Sequence, residues 1–287
     1  MGAGGGAWIY AVRVGTRAAL QPAAPPFVAT EDKWRISMRR LLVSLLIFLV
    51  AAIAAASERR LHRTAQLDPT GSLAIDTHNG TITVTTWNQA TVDVSARIVP
   101  ADFGRDEDIE KTDVKITGSG TSVRIESDYS DVPTRFTWLG VQRELPLIHY
   151  TISMPATARL SVDAHNASIR VTALRNDLKI STHNGDIDVR EFDGAASIES
   201  HNGDVRIAYR NFTKPARIET HNGGMEFTLP AQARFHLNAN GHHMDMSSDF
   251  PMTLGSSGYS RYVGDVNGGG PELRVSTHNG SLKLRKL

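Results

Sequence analysis

Apolar and polar residues alternate along much of this chain, and the alternation returns in one fixed frame. In residues 178–189, Leu178 and Ile180 alternate with polar neighbours, a His-Asn-Gly triplet follows, and the alternation resumes at Ile187 and Val189. A period of two is typical of a strand with one buried face. In every copy the last inward position before the histidine lies five residues from the next inward position. The pattern therefore predicts two strands joined at an Asn-Gly corner, with the histidine facing outward.

The recurring triplet is typical of a repeat protein. Successive copies begin at His165, His183, His201, His221 and Asn240, in steps of 18, 18, 20 and 19 residues. Asn240-Gly241 is expected to replace the triplet in its copy. The predicted corner ladder consists of His78, Asn79, Gly80, His165, Asn166, His183, Asn184, Gly185, His201, Asn202, Gly203, His221, Asn222, Gly223, His278, Asn279 and Gly280.

Two all-β architectures fit a strand, an Asn-Gly corner and another strand. Asn-Gly is a strong hairpin signal because both residues tolerate positive φ, so an antiparallel meander is one possibility. In a parallel β-solenoid each repeat of 18–20 residues is one coil, and equivalent residues lie about 4.8 Å apart. The nearly constant period favours the second architecture. We therefore expect an all-β, single-domain parallel β-solenoid (β-helix-like), preceded by a helical signal segment.

The N-terminal segment predicts export. Met38-Arg39-Arg40 precedes an apolar run at residues 41–56, which ends in Ala54-Ala55-Ala56, the order of a secretory signal with a small-residue cleavage site. Residues 38–56 are predicted to be a signal peptide, and residues 1–37 a non-native or disordered extension. A run of 16 residues is short for a membrane-spanning helix, which favours cleavage over the alternative, a signal anchor. Either arrangement puts the repeats in the periplasm or at the cell surface.

The rest of the chain is expected to divide into a linker at 57–70 and a solenoid domain at 71–287. Residues 86–155 form a variable region of other alternating strands, with a charged connection at 102–111 that can hold a helical turn. Residues 247–272 are expected to form one irregular, Gly-rich coil.

These features resemble the bacterial adhesin-like domain of unknown function 4097, over about residues 65–287. The resemblance rests on the signal segment, the early strand pair around Asn79-Gly80, the run 152–155 followed by 160–162, and the serial coils with Asn-Gly-Asp corners. It implies a β-helix-type solenoid on an exported envelope protein of adhesin type. It carries no catalytic residue over to this chain, because the family pattern names none.

Composition narrows the classes of function. The chain has 287 residues, of which 40% are hydrophobic, so it can bury one substantial core. A net charge of +1 implies no bulk attraction to nucleic acid or to an anionic membrane, so membrane contact is expected only through an uncleaved N-terminal segment. The absence of cysteine excludes disulfides, thiolate metal sites and a cysteine nucleophile.

Two groups of side chains raise a metal hypothesis. The outward histidines could bind Zn²⁺, Cu²⁺ or Ni²⁺, but stacked rings are parallel whereas the ligands of one metal converge. A second group combines imidazoles with the thioethers that copper prefers, although its methionines are on the inward phase. Its members are His236, His242, His243, Met244, Asp245 and Met246. The preferred interpretation is structural, so neither a metal nor a cofactor is predicted.

A carbohydrate-active β-helix enzyme is a further hypothesis. Asp186 and Asp204 hold equivalent outward positions, which in adjacent coils approach the carboxylate spacing of retaining glycosidases, and Asp188 lies nearby. Aspartate after Asn-Gly is also ordinary turn chemistry. Because turn chemistry explains these aspartates without catalysis, a non-enzymatic protein is favoured.

The sequence thus predicts an exported, adhesin-like interaction protein without catalytic activity. Its expected partners are a surface glycan, peptidoglycan or an envelope protein. Tyr129, Phe136 and Trp138 are the predicted partner contact, because they fall in an aromatic, turn-rich stretch expected to be an exposed loop. The alternative is a membrane-anchored periplasmic sensor or structural protein of envelope stress.

Overall fold

The structure is a computed structural model that describes residues 58–287 except residues 103, 138–139, 143, 253–254 and 257–259, and except the side chains at 136–137, 140–142 and 255–256. The predicted extension at 1–37 and signal peptide at 38–56 lie outside the described residues. Among those that are described, no helix has the length and apolar character needed to cross a bilayer.

The described chain is almost entirely β-structure, with one short helix, α1 (Asp106–Glu110). Its strands are β1 (Arg59–Trp87), β2 (Thr91–Val99), β3 (Asp113–Asp128), β4 (Arg135–Thr137), β5 (Gly140–Gln142), β6 (Leu147–Pro155), β7 (Arg159–Thr172), β8 (Leu178–Asn184), β9 (Ile187–Phe192), β10 (Ala196–Asn202), β11 (Val205–Tyr209), β12 (Ala216–Asn222), β13 (Met225–Leu229), β14 (Phe235–Ser248), β15 (Gly255–Ser256), β16 (Arg261–Val266) and β17 (Glu272–Lys286).

The repeats stack in parallel, which makes the fold all-β and solenoid-like. Strands β8, β10 and β12 pair in register before the corner, and β9, β11 and β13 pair in register after it. Strands β7 and β17 run through the corner and pair with both series. An antiparallel meander is therefore excluded for these repeats.

The alternating apolar positions form one continuous core inside the stack. Ile180, Ile198 and Ile218, for example, occupy the same position in three paired strands and are each at most 1% exposed. Beside them, Phe192 and Tyr209 pack with ring centroids 5.2 Å apart. Parallel stacking places like residues on like residues, so a single inward position becomes a buried column along the axis.

The expected linker at 57–70 is mostly strand. Strand β1 begins at Arg59, and its first residues pair antiparallel with β2. The side chain of Leu67 is fully buried. The remainder of β1 pairs in parallel with β7, while β3 and β6 cover its other side. The variable region 86–155 thus closes one end of the stack, because an open first coil would expose its core and its backbone hydrogen-bonding groups.

The order of the last coils differs from the order of the chain. Equal spacing predicted that the Asn240 copy stacks on the His221 copy. Instead, β17 lies between β12 and β14, in parallel with both. The segment before β17 adds no further parallel coil, since β16 pairs antiparallel with β14. The chain therefore returns and inserts its final strand into the stack.

The register of β14 also corrects the sequence interpretation. Asn240-Gly241 was expected to occupy the corner, yet Gly241 pairs with Thr277 and His243 pairs with Asn279. His242 consequently lies beside His278. A shift of two residues preserves the alternation of inward and outward side chains, so hydrophobic periodicity alone could not detect it.

Candidate functional site

The outward histidines form one stacked column along the edge of the fold. Neighbouring ring centroids are 4.7–5.0 Å apart with interplanar angles of 2–8° from His78 to His278, and the final step to His242 is 5.1 Å at 21°. We call this set the histidine column. In order along the axis it contains His78, His165, His183, His201, His221, His278 and His242.

A hydrogen-bonded column of asparagines runs beside it. Each side-chain Nδ2 donates to the Oδ1 of the asparagine in the preceding coil, over 2.6–3.0 Å. This asparagine column contains Asn79, Asn166, Asn184, Asn202, Asn222 and Asn279. The rings stack face to face, and the amides use each other as partners, so the geometry of these corners is that of a structural spine.

The six residues of the second metal hypothesis do not all converge. Met244 is buried, at 3% exposure, and His236 Nδ1 lies 2.7 Å from the Asp265 carboxylate. Only His242 and His243 approach each other, with their Nδ1 atoms 2.9 Å apart. No group of three or more potential His, Asp or Glu ligands comes together in the part of the chain that the structure describes.

The carboxylates of the enzyme hypothesis already form hydrogen bonds or ion pairs with neighbouring groups. Asp186 Oδ1 accepts a hydrogen bond from the Asp204 backbone N–H at 2.9 Å, and Asp204 Oδ1 accepts one from the Gly224 N–H. Asp188 is paired with Arg190 at 2.8 Å and with Arg170 at 3.4 Å. Although desolvation opposes the charged form of Asp188, hydrogen bonds and ion pairs from the two arginines lower the pKa of this carboxyl. A lowered pKa suits a permanent ion pair and not a general acid.

The structure corrects the expectation that Tyr129 is an exposed contact. Its side chain is 8% exposed, and burial raises its pKa to about 12. This ring belongs to the same buried hydrophobic cluster as the core residues of the strands. The Phe136 side chain and Trp138 lie outside the described residues, so their role as partner contacts stays a prediction.

Helix α1 anchors the segment that leads to these aromatics. Arg135 donates to both carboxylate oxygens of Asp108, at 2.7 and 2.8 Å, and to Glu107 at 2.9 Å. The Asp108 side chain is fully buried. Its hydrogen bonds to Arg135 lower the pKa of the Asp108 carboxyl despite the opposing cost of burial. A buried carboxylate held by a bidentate guanidinium is a strong, geometrically specific contact.

Asp108→Asn is expected to lower the free energy of unfolding by about 2 kcal/mol at pH 7, because the half-buried guanidinium of Arg135 loses the charge of its buried partner. The folded-state pKa of Asp108 is lowered, so its stabilisation is complete above pH 3.8 and is lost as the pH falls through the folded value. Urea unfolding at pH 7 and pH 3 checks this. The matched control, Glu107→Gln, removes an exposed partner of Arg135 and should cost less than about 1 kcal/mol. Equal losses for both variants would contradict the assignment.

A groove of about 540 Å³ crosses the strands that precede the corner, and both outward and inward residues of these strands line it. It runs along the axis over β1, β7, β8, β10, β12 and β17, a span of about 24 Å at ordinary strand spacing. Small residues such as Ala195 and Ser197 keep its floor low. Its cationic lining residues are Arg159, Lys179, Arg217 and Arg274.

The charges in the groove are unequally partnered. Both carboxylates in the groove have partners. Asp177 forms an ion pair with Lys214 at 3.4 Å, and Glu272 accepts a hydrogen bond from the Asn238 amide at 3.0 Å. Arg159, Lys179 and Arg274 make no ion pair with any described residue. Sequence inspection missed this groove, although Lys179, Arg217 and Arg274 occupy the same position of the repeat frame. Aligning the repeats by outward residues would have revealed the common position.

Three solved structures are similar to the chain at low sequence identity. One is a candidate cell adhesion protein from Clostridium sporogenes ATCC 15579, with 8% identity, a TM-score of 0.45, and coverage of 80% of this chain and 100% of that one. A candidate adhesin from Bacteroides fragilis NCTC 9343 has 13% identity, a TM-score of 0.43, and coverage of 81% and 99%. A candidate lipid binding protein from Parabacteroides distasonis ATCC 8503 has 12% identity, a TM-score of 0.31, and coverage of 80% and 97%.

Among curated proteins, none matches this sequence. A family match covers nearly all of the described fold: the profile of Toastrack DUF4097 matches residues 64–285. This range includes every residue of the histidine column and every residue that lines the groove. The chain therefore belongs to the Toastrack DUF4097 family.

Proposed function

We propose that this protein is a non-enzymatic interaction module of the cell envelope that binds a linear acidic glycan along its groove. The observation that carries the proposal is the row of cations without an ion-pair partner among the described residues: Arg159, Lys179 and Arg274. Carboxylated glycans carry negative charges at regular intervals along an extended chain. A groove with positive charges along its length is complementary to such a polymer.

The dimensions of the groove support an extended ligand. Arg159 and Lys179 lie in the adjacent strands β7 and β8, and Arg274 lies three strands further along, in β17. Four strand spacings of about 4.8 Å separate the first and last cation by about 19 Å. That distance exceeds the length of one sugar ring and suits several consecutive residues of a polymer. The side chains of Arg159, Lys179 and Arg274 are exposed, so the ligand can lie along the surface without entering the core.

A parallel stack also provides the rigidity that such recognition requires. Inward-facing residues of its strands also line the groove, among them Leu160, Leu178 and Ala216, which are at most 2% exposed. Because the backbone of such strands is already rigid, it loses little conformational entropy when a ligand binds to their side chains. We infer that the stack is one β-solenoid domain with coils of 18–20 residues. The apolar segment at 41–56, after Arg39-Arg40, supports export of this domain to the periplasm or the cell surface.

The proposal predicts that replacing Arg159, Lys179 and Arg274 together by Ser weakens binding to polygalacturonate by about ten-fold or more, because three cations no longer attract the carboxylates. Isothermal titration calorimetry at low and high salt measures the affinity. The affinity of the wild-type protein should fall as salt rises, since exposed charges are screened. Neutral dextran should not bind.

A matched control removes the same amount of charge elsewhere. Arg175, Arg261 and Lys283 are exposed cations that do not line the groove, and their triple Ser variant should bind polygalacturonate within about two-fold of wild type. Equal weakening in both triple variants would show attraction to net charge alone and would overturn the assignment to the groove. Absence of polygalacturonate binding by the wild-type protein would overturn the acidic-glycan proposal.

A further inference from the structure

We propose that His242 and His243 form a two-imidazole binding site for Cu²⁺ at the end of the histidine column. Their Nδ1 atoms are 2.9 Å apart, and the ring centroids are 4.4 Å apart at an angle of 64°. Among the described residues, the ring nitrogens of two histidines approach each other at this end of the column. Along the column itself the neighbouring rings are stacked face to face.

The two nitrogens are close enough to bind one ion together. Imidazole nitrogens bind metals at about 2.0–2.1 Å, so two ligands at 90° to each other are about 2.9 Å apart. Two ligands at the tetrahedral angle would be about 3.3–3.4 Å apart. The present 2.9 Å is also the length of the hydrogen bond between the two rings, so it shows that both nitrogens can reach one ion and does not select a coordination angle. The preference for Cu²⁺ rests on its affinity, because Cu²⁺ binds nitrogen ligands most strongly among the divalent ions of the first transition series.

The fold explains why the pair occurs at this corner. In the register of β14, His243 occupies the position that Asn279 and the other members of the asparagine column hold in their coils. Consecutive residues of a regular strand point to opposite faces, but a corner turns both side chains outward. Both histidines are exposed, so solvent ligands can complete the coordination.

The neighbouring donors do not extend the site. Met244 is buried in the core, and His236 is occupied by Asp265. Without metal, the two Nδ1 atoms share one proton in a hydrogen bond. Binding of Cu²⁺ through both Nδ1 atoms moves that proton to Nε2 of the same ring, through solvent. A neutral pair therefore binds the ion without net release of a proton.

The test titrates the full chain with CuSO₄ and compares the wild-type protein with His243→Asn. This change installs the residue found at the other corners, so it should preserve the fold while removing one ligand. We expect its affinity for Cu²⁺ to fall by about ten-fold or more, because the second imidazole no longer binds within the same molecule. Electron paramagnetic resonance of the wild-type complex should show two nitrogen ligands that become one in the variant. Zn²⁺ should bind the wild-type protein more weakly than Cu²⁺.

His201→Ala is the matched control, since it removes an exposed imidazole that is stacked but not convergent. It should leave the affinity for Cu²⁺ unchanged. Equal losses in the two variants would mean that the whole column binds copper and would overturn the site. Unchanged affinity in His243→Asn, with a circular dichroism spectrum like that of wild type, would overturn it as well. Neither outcome bears on polygalacturonate binding, which depends on the groove.

Discussion

Val275→Asp is expected to lower the free energy of unfolding by more than about 4 kcal/mol and to release residues 235–266 from the stack. Val275 is fully buried in β17, where it pairs with Ile218 on one side and with Ala239 on the other. A carboxylate at this position has no partner and is buried at a cost of several kcal/mol. Because β17 lies between β12 and β14, its loss disconnects the strands that precede it in the chain.

Hydrogen exchange resolved along the chain measures this release. Protection should disappear at residues 235–266 and persist at residues 160–192, since each coil of a stack is stabilised mainly by its neighbours. Arg274→Asp is the control, because the adjacent side chain is exposed and lies outside the core. It should change stability by less than about 1 kcal/mol. If residues 235–266 stay protected in Val275→Asp, then β14 does not depend on β17 and the inserted order of the strands is wrong.

Gly203→Ala is expected to lower the free energy of unfolding by about 3 kcal/mol, the second largest effect expected of a single substitution. The φ of Gly203 is +134°, a region that residues with a side chain rarely adopt. A Cβ on this residue would also overlap the carbonyl oxygen of Gly185 in the adjacent coil. The corner can relieve the overlap only by moving away from its neighbour, which breaks the parallel register of both coils. Urea unfolding monitored by circular dichroism measures the loss.

The neighbouring glycine provides the control for this corner. Gly224 has no positive φ, and the atom nearest to a Cβ at this position would be the Ser281 side-chain oxygen at 3.3 Å. Gly224→Ala should therefore change stability by less than about 1 kcal/mol. The coil of β7 already carries Ala167 at the corner position, and that residue lacks a positive φ. A small effect of Gly203→Ala would contradict this expectation, because it would show that the Gly203 corner can adopt the backbone conformation found at Ala167.

The repeat frame alone predicted the parts of the structure that depend on local pattern. Alternation in residues such as Ile180 and Ile198 identified the buried face, because side chains of a strand point alternately to its two sides. The equal spacing of the copies favoured parallel stacking over a meander, and the structure shows that pairing. The linker prediction was wrong because the first residues of β1, from Arg59 to Gln66, find their partner in β2, which the local pattern does not identify.

The groove could not be predicted in the same way, because it depends on which strands become neighbours. Lys179 and Arg274 are 95 residues apart in the chain, yet they line one surface. The sequence did place His242 and His243 in a copper hypothesis, but together with His236, which pairs with Asp265, and Met244, which is buried. His242 joins the histidine column only through a register shifted by two residues, which leaves the hydrophobic alternation unchanged.

By itself, the sequence determined that this is an all-β repeat protein with an inward apolar face, an outward histidine and a corner at each His-Asn-Gly. These properties follow from side-chain alternation and from the backbone freedom of glycine, which act within a few residues. Only the tertiary structure decided the order of the final strands, the closure of the first coil and the register that pairs His242 with His278. Pairing between distant strands is set by which arrangement buries the core and satisfies the backbone at both ends of the stack, and that balance belongs to the whole fold.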